Sequence, residues 1–253
     1  MKPANFFWYE LVTTDPKAAT GFYADVVGWT PVPYGPSHDY TVLNVGPDQG
    51  TAGIMATPPE AAGMPPQWMG YLYVDDVDAK AREVETAGGK VEKGPWDIPE
   101  IGRAAVCTDP HGAPFMIMKP NGEDRPPLPM TTPGTIGWRD LSAGDLDEAW
   151  SFYAGLFGWT KGDAIPMEGM GDYQLFHAGG DEPVGGMMTK TPDREHPFWL
   201  FYFVVPAIDA AREKIVKGGG TVVMEPMEVP GGAWAMEALD PQGARFGLTA
   251  ASR

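Results

Sequence analysis

Cysteine is almost missing: Cys107 is the one thiol in 253 residues. No disulfide can close within the chain, and no paired-thiolate metal site can form. With Ala105 and Val106 beside it, Cys107 reads as a buried structural thiol, a reactive nucleophile being the alternative. Basic residues are also scarce. Eighteen Lys and Arg stand against 34 Asp and Glu, a formal charge of −16. That balance repels phosphate backbones and anionic lipid, so neither nucleic acid nor a membrane is an expected partner. No apolar run approaches the roughly 20 residues that cross a bilayer. Met1-Lys2-Pro3-Ala4-Asn5 runs straight into a strand pattern without the apolar centre of a signal peptide, so a cytoplasmic location is expected. Phosphate loops and Ser-His-Asp elbows are missing too, and Gly218-Gly219-Gly220 follows a helix pattern where a phosphate cradle would precede one.

What is present is a duplication. Trp8-Tyr9-Glu10-Leu11, Phe22-Tyr23-Ala24 and Gly28-Trp29-Thr30 return 130 residues later as Trp138-Arg139-Asp140-Leu141, Phe152-Tyr153-Ala154 and Gly158-Trp159-Thr160. Asp109-Pro110-His111-Gly112-Ala113-Pro114-Phe115 returns at an offset of 131 as Asp240-Pro241-Gln242-Gly243-Ala244-Arg245-Phe246. Two modules of about 125 residues fit the usual domain size. They are expected at 1–122 and 135–253, with a linker at 123–134 inside a stretch rich in Pro, Gly and charge.

Each module contains one pattern twice. Phe6 to Thr13 is rich in aromatic and β-branched residues, as strands are. Asp15-Pro16 then supplies an N-cap and a first-turn proline for a helix to about Val26, with Ala19, Phe22, Tyr23 and Val26 on one face. Strands are expected at Tyr40 to Val45 and Ala52 to Ala56, with turns at Pro36-Ser37 and Gly46-Pro47. Tyr71 to Val74 opens the pattern again, Asp75-Asp76 caps a helix through Glu85, and Lys90 to Lys93, Gly102 to Thr108 and Pro114 to Met118 follow as strands. The second half repeats this order from Gly137, with a strand at Trp199 to Val205 and a helix from Ala207 to Lys217. The fold class is α+β: four βαβββ units with the helices outside.

These motifs resemble the vicinal oxygen chelate superfamily of glyoxalase I, bleomycin and fosfomycin resistance proteins and extradiol dioxygenases. The likeness covers essentially the whole chain and matches tandem two-module glyoxalase-like proteins. It implies two half-open β-barrel modules, with metal ligands on the first strand of each unit and the last strand of each module. In the first module those positions carry Trp8, Met69 and Met116; in the second they carry Trp138, Leu200 and Gly247. Indole, thioether and alkane groups do not hold a divalent first-row ion, so no metal and no cofactor are expected. Such side chains suit a hydrophobic or planar organic ligand.

Alternation puts Glu10 and Asp140 two residues beyond the ligand positions on the same inward face. Each is a candidate general base or a counter-charge for a ligand; the plainer role is a carboxylate hydrogen-bonded to backbone or to Tyr and Arg neighbours. Tyr40 and Tyr173 match each other in the repeat, as do Tyr71 and Tyr202, and Met55 matches Met188 on the expected pocket wall. His177 aligns with Asn44 and is the candidate acid or base that pairs with Asp140. His38 and His111 fall in turns and are expected to be solvated. Trp96 and Trp234 fall in the loop and strand region after the last helix of their modules, where they could stack on a ligand under a flap or, more plainly, anchor a long loop, and Gly247 is expected to leave the second cavity roomier.

The function implied is metal-independent binding or sequestration of a hydrophobic or planar small molecule by a monomer or homodimer. Its alternatives are an acid/base lyase, isomerase or hydrolase using Glu10 or Asp140 with His177, and a metal-dependent glyoxalase or dioxygenase with other ligands.

Overall fold

The computed structural model describes residues 4–35, 39–122 and 128–253. The first repeat runs β1 (Phe6–Thr13), α1 (Pro16–Val26), β2 (Thr30–Tyr34), β3 (Tyr40–Gly46) and β4 (Gln49–Ala56). The second is β5 (Gln67–Tyr73), α2 (Val77–Thr86), β6 (Lys90–Ile98), β7 (Gly102–Thr108) and β8 (Pro114–Pro120). The third is β9 (Ile136–Ala143), α3 (Leu146–Phe157), β10 (Thr160–Met167), β11 (Gly171–His177) and β12 (Gly185–Thr189). The fourth is β13 (Phe198–Val204), α4 (Ile208–Lys217), β14 (Thr221–Glu228), β15 (Trp234–Leu239) and β16 (Arg245–Ala250). Three helices start where an aspartate side chain accepts from a backbone N–H three residues on: Asp15 from Ala18, Asp76 from Ala79, Asp145 from Glu148. The fourth has Ala207 at that place, and the Ile208 N–H donates instead to the Ser252 carbonyl.

The strands form two mixed sheets, neither closed on itself, in the orders β2-β3-β4-β1-β5-β8-β7-β6 and β10-β11-β12-β9-β13-β16-β15-β14. In every repeat the first strand pairs in parallel with the last. The four edge strands each carry proline: Pro31 and Pro33, Pro95, Pro166, and Pro226. A residue without an N–H cannot serve a central ladder, and at an edge it blunts pairing with another chain. It also hides strands from a sequence reading. β2, wholly exposed, had no expected counterpart, and β6 runs on to Ile98 past the expected Lys93. Trp96 and Trp234 lie in strands, with Lys93 and Arg253 over their rings. His38 and the turn at Pro36-Ser37 fall outside the described residues, as does part of the expected linker.

Packing divides the chain differently from the duplication. One compact unit joins most of the first and fourth repeats; the other joins most of the second and third. The division cuts the first strand of each repeat, between Phe7 and Trp8, Met69 and Gly70, Trp138 and Arg139, and Trp199 and Leu200. In the outer-repeat unit the core holds Phe22, Tyr23, Trp29, Trp68, Phe203 and Phe246 in edge-to-face and tilted contacts. In the inner-repeat unit Phe115, Tyr153, Phe157, Trp159, Phe176 and Trp199 form the core, edge-to-face at Phe115 and Trp199 and stacked where Trp159 lies between Tyr153 and Phe176.

Each core closes on a buried phenol. Tyr23 donates to Asp240 Oδ2 at 3.2 Å and accepts from Trp68 Nε1 at 2.9 Å. Tyr153 donates to Asp109 Oδ2 at 3.4 Å and accepts from Trp199 Nε1 at 3.0 Å. Two further bonds come in matched pairs. Trp29 Nε1 donates to the Gly134 carbonyl and Trp159 Nε1 to that of Ala4; Lys214 Nζ donates to the Asp25 carbonyl and Lys80 Nζ to that of Leu156. The duplicated Phe-Tyr, Gly-Trp and Asp-Pro-x-Gly motifs are therefore the parts of these joints. Removing one hydroxyl leaves a buried indole N–H and a carboxylate each short of a partner. Tyr23→Phe or Tyr153→Phe should each lower the urea-unfolding free energy by about 1–3 kcal/mol, while Tyr34→Phe, on an exposed strand, should change it by less than about 0.5 kcal/mol.

Candidate functional site

On β1, Tyr9, Leu11 and Thr13 are buried on one face, and Trp8, Glu10 and Val12 take the other. Glu10 is nonetheless only 8% exposed. Its parallel partner on β4 is Gly53, and Tyr40 of β3 reaches over that glycine: a Cβ there would lie 1.9 Å from the phenol oxygen. Glycine at 53 thus opens the path by which Tyr40 reaches β1. Trp8 Nε1 donates to Tyr40 Oη at 3.0 Å, and Tyr40 in turn hydrogen-bonds Glu10. Burial, then the neighbouring Glu10 charge, push the Tyr40 pKa well above its ordinary value. It is a neutral phenol at every physiological pH.

The third repeat builds the same device. Asp140 pairs with Gly186, a Cβ at Gly186 would lie 2.1 Å from Tyr173 Cζ, and the Tyr173 hydroxyl donates to Asp140 Oδ1. The expected pairing of His177 with Asp140 does not form. Among the described residues no hydrogen bond or ion pair joins them, and the His177 ring lies against Gly162 of β10. Tyr173 and His177 flank Leu175, the β11 partner of Gly186, and the phenol is the one that crosses the glycine to the acid.

The other two repeats differ from these and from each other. Tyr71, 4% exposed, stands beside Met116, 2% exposed, which stands beside Val106, an apolar row across three strands. Tyr202 stands beside Gly247, and its ring lies over that glycine, 2.4 Å from where a Cβ would be. Gly247 therefore does not make room; the tyrosine has taken it. Beyond Gly247, on β15, stands Glu237, which the repeat pattern did not flag because its counterpart is Val106. Trp8, Glu10, Tyr40, Met55, Met69, Trp138 and Tyr202 belong to the outer-repeat unit; Tyr71, Met116, Asp140, Tyr173, His177 and Met188 belong to the inner one. Two open grooves, of about 640 and 530 Å³, lie instead between α2 and α3 and between α1 and α4, and none of these residues lines either.

The remaining histidines and Cys107 are accounted for. His111 lies in an exposed turn, as expected, and its Nε2 is 2.7 Å from Glu148 Oε2 while its ring fills the space over Gly144. His196 is exposed. Cys107 is fully buried, and burial followed by the charges of Glu85 and Glu92 pushes its pKa up to about 12, so it has no thiolate character.

Comparison with known proteins agrees with this architecture. Residues 5–117 and 135–248 each match the Glyoxalase/Bleomycin resistance protein/Dioxygenase superfamily, and the chain belongs to it. It is 36% identical over 247 residues to CFP32 of Mycobacterium bovis, a provisionally named glyoxylase, covering 95% of this chain and 92% of that one. It is 31% identical over 255 residues to the anthracycline biosynthesis protein DnrV of Streptomyces peucetius, covering 95% and 91%. Its fold matches the Mn(II)-bound glyoxalase from Novosphingobium aromaticivorans with a TM-score of 0.67 at 16% identity, over 99% of this chain and 82% of that one.

The metal of that fold relative does not fit the residues here. The positions where the resemblance puts ligands hold Trp8, Met69, Met116, Trp138, Leu200 and Gly247. Among the described residues no three His, Cys, Asp or Glu side chains are grouped to hold an ion. What the sheets offer is hydrogen bonding. Tyr23, Tyr40 and Tyr153 are all held protonated above the ordinary phenol value of 10.0, burial being the largest cause in each. A raised folded pKa means that the stability is fully present below pH 10 and is lost as the pH climbs from there toward the folded value. The urea midpoint should hold constant through neutrality and fall above about pH 10, and phenolate absorbance should show these three ionising only with unfolding.

Proposed function

We propose that the protein binds a planar or hydrophobic small molecule without metal. One observation supports this: four of the six positions where the resemblance puts ligands hold Trp8, Met69, Met116 and Trp138, and Glu10 and Asp140, two residues beyond the tryptophans, are hydrogen-bonded to tyrosines. Such groups bury fused rings and offer polar contacts at their edges. The anthracycline of one relative's name, a fused-ring compound, is ligand chemistry of this kind. This reading keeps the cytoplasmic location and the monomer or homodimer expected from sequence; no helix among the described residues is long and apolar enough to cross a membrane.

A second reading, acid/base catalysis, draws support from the Tyr40 and Glu10 pair, a proton donor beside a carboxylate on the face that carries Trp8. Turnover of the bound compound that is lost in Glu10→Gln, with binding kept, would favour it over sequestration.

The test is a titration of the chelator-dialysed protein with 1,8-dihydroxyanthraquinone, followed by tryptophan emission. Saturable quenching with a dissociation constant on the order of 100 µM or tighter is expected from the size of the ring system. Trp8→Ala should weaken it about tenfold, the value of one lost aromatic contact. Absence of saturation, or saturation that appears only after Mn, Ni or Zn is added, would overturn the proposal.

A further inference from the structure

Tyr202, Gly247 and Glu237 stand directly beside one another on β13, β16 and β15. Their neighbours Phe203, Phe246 and Met236 point to the other face, where Phe246 meets Phe22 and Tyr23 of α1. By alternation the row of three faces away from the helices. A carboxylate there would ordinarily be wet, yet Glu237 is only 5% exposed. Its Oε2 is 2.8 Å from Nη1 of Arg245, which is itself one-third exposed.

The row has the same three parts as two others in the chain. Glu10, Gly53 and Tyr40 form one, and Asp140, Gly186 and Tyr173 form another: an acid, a glycine beside it, and a tyrosine ring lying over the glycine. Adjacent strands are about 4.8 Å apart, so the Cα atoms of Tyr202 and Glu237 are about 10 Å apart, a span that a phenol and a glutamate side chain close between them. The fourth repeat reached this arrangement from different strands. In the second repeat the corresponding row is Tyr71, Met116 and Val106, which has neither the acid nor the glycine.

We infer that Glu237, with Tyr202 over Gly247, is a binding site for a ligand hydroxyl on this face of the sheet, the carboxylate accepting the hydroxyl proton. The inference rests on the ligand-binding reading above and narrows its ligand class to ring compounds that carry a hydrogen-bond donor. The carboxylate is paired with the Arg245 guanidinium, and a hydrogen bond to a carboxylate is charge-assisted and stronger than one to a neutral acceptor. A ligand of the same shape whose oxygen bears no proton would bury Glu237 without that bond, and the loss gives the site its selectivity.

The test compares 2-naphthol with 2-methoxynaphthalene, which share the ring and the oxygen and differ in the donor, by quenching of tryptophan emission in the full chain. The parent protein should bind 2-naphthol about tenfold more tightly, as expected for one charge-assisted hydrogen bond. Glu237→Gln should narrow the ratio to about threefold or less, since a neutral acceptor is about half as strong. Tyr202→Phe, which keeps the ring over Gly247, should narrow it in the same direction and carries the test if Glu237→Gln does not fold. Glu225→Gln, on an exposed ion pair with Arg212, should leave it unchanged. A parent that binds neither compound overturns the ligand-binding reading and this one with it. A parent that binds both equally, or a ratio that survives in Glu237→Gln and Tyr202→Phe, overturns this inference alone.

Discussion

A buried phenol that donates to an aspartate and accepts from an indole closes each half of this structure. A tyrosine hydroxyl deep in an aromatic core costs free energy unless both its donor and its acceptor functions are met, and Tyr23 and Tyr153 meet theirs with groups from other repeats. The aspartates are committed as well: Asp240 also accepts the backbone N–H groups of Gln242 and Ala244, and Asp109 those of His111 and Ala113. Each turn is thereby shaped by the residue that receives the phenol. Burial raises both carboxyls above their ordinary range and the turn amides pull them back, so the acid is held by the same bonds that shape the turn. Because the tyrosine comes from the first or third repeat and the aspartate from the fourth or second, each compact unit takes half its substance from each module.

The duplication made most of this architecture legible. Repeated Phe-Tyr, Gly-Trp and Asp-Pro-x-Gly motifs gave the element order, and three of the four helix starts followed from a single aspartate. The motifs did not reveal which repeat each tyrosine pairs with, because partner choice is a matter of three-dimensional packing and leaves no mark in spacing. β2 was hidden by Pro31 and Pro33, which are admissible only because that strand lies at an edge. At the candidate site, the resemblance pointed to Trp8, the repeat to Tyr40 and alternation to Glu10, and hydrogen bonds join Trp8 to Tyr40 and Tyr40 to Glu10. Asp140 was expected to meet His177 and meets Tyr173, since Gly186 gives the phenol its path. Glu237 escaped notice because a search for matching residues passes over a position where one copy is Val106 and the other an acid.

The same scaffold that elsewhere carries Mn(II) here carries hydrophobic and hydrogen-bonding groups. Three of the four repeats place an acid beside a glycine that a tyrosine ring covers, and one row carries neither at Tyr71, Met116 and Val106. The modules have diverged in the polar ends they present while keeping a common frame.

The loss of metal ligation is the claim on which the functional reading stands, and elemental analysis tests it most directly. Protein purified without chelator and without a histidine-rich tag would be passed through gel filtration and measured for Mn, Fe, Ni and Zn. Far less than one ion per chain is predicted for each. Near-stoichiometric retention of any of them would contradict it and would turn attention to Glu10, Asp140, His177 and Glu237 as ligands of a metalloenzyme.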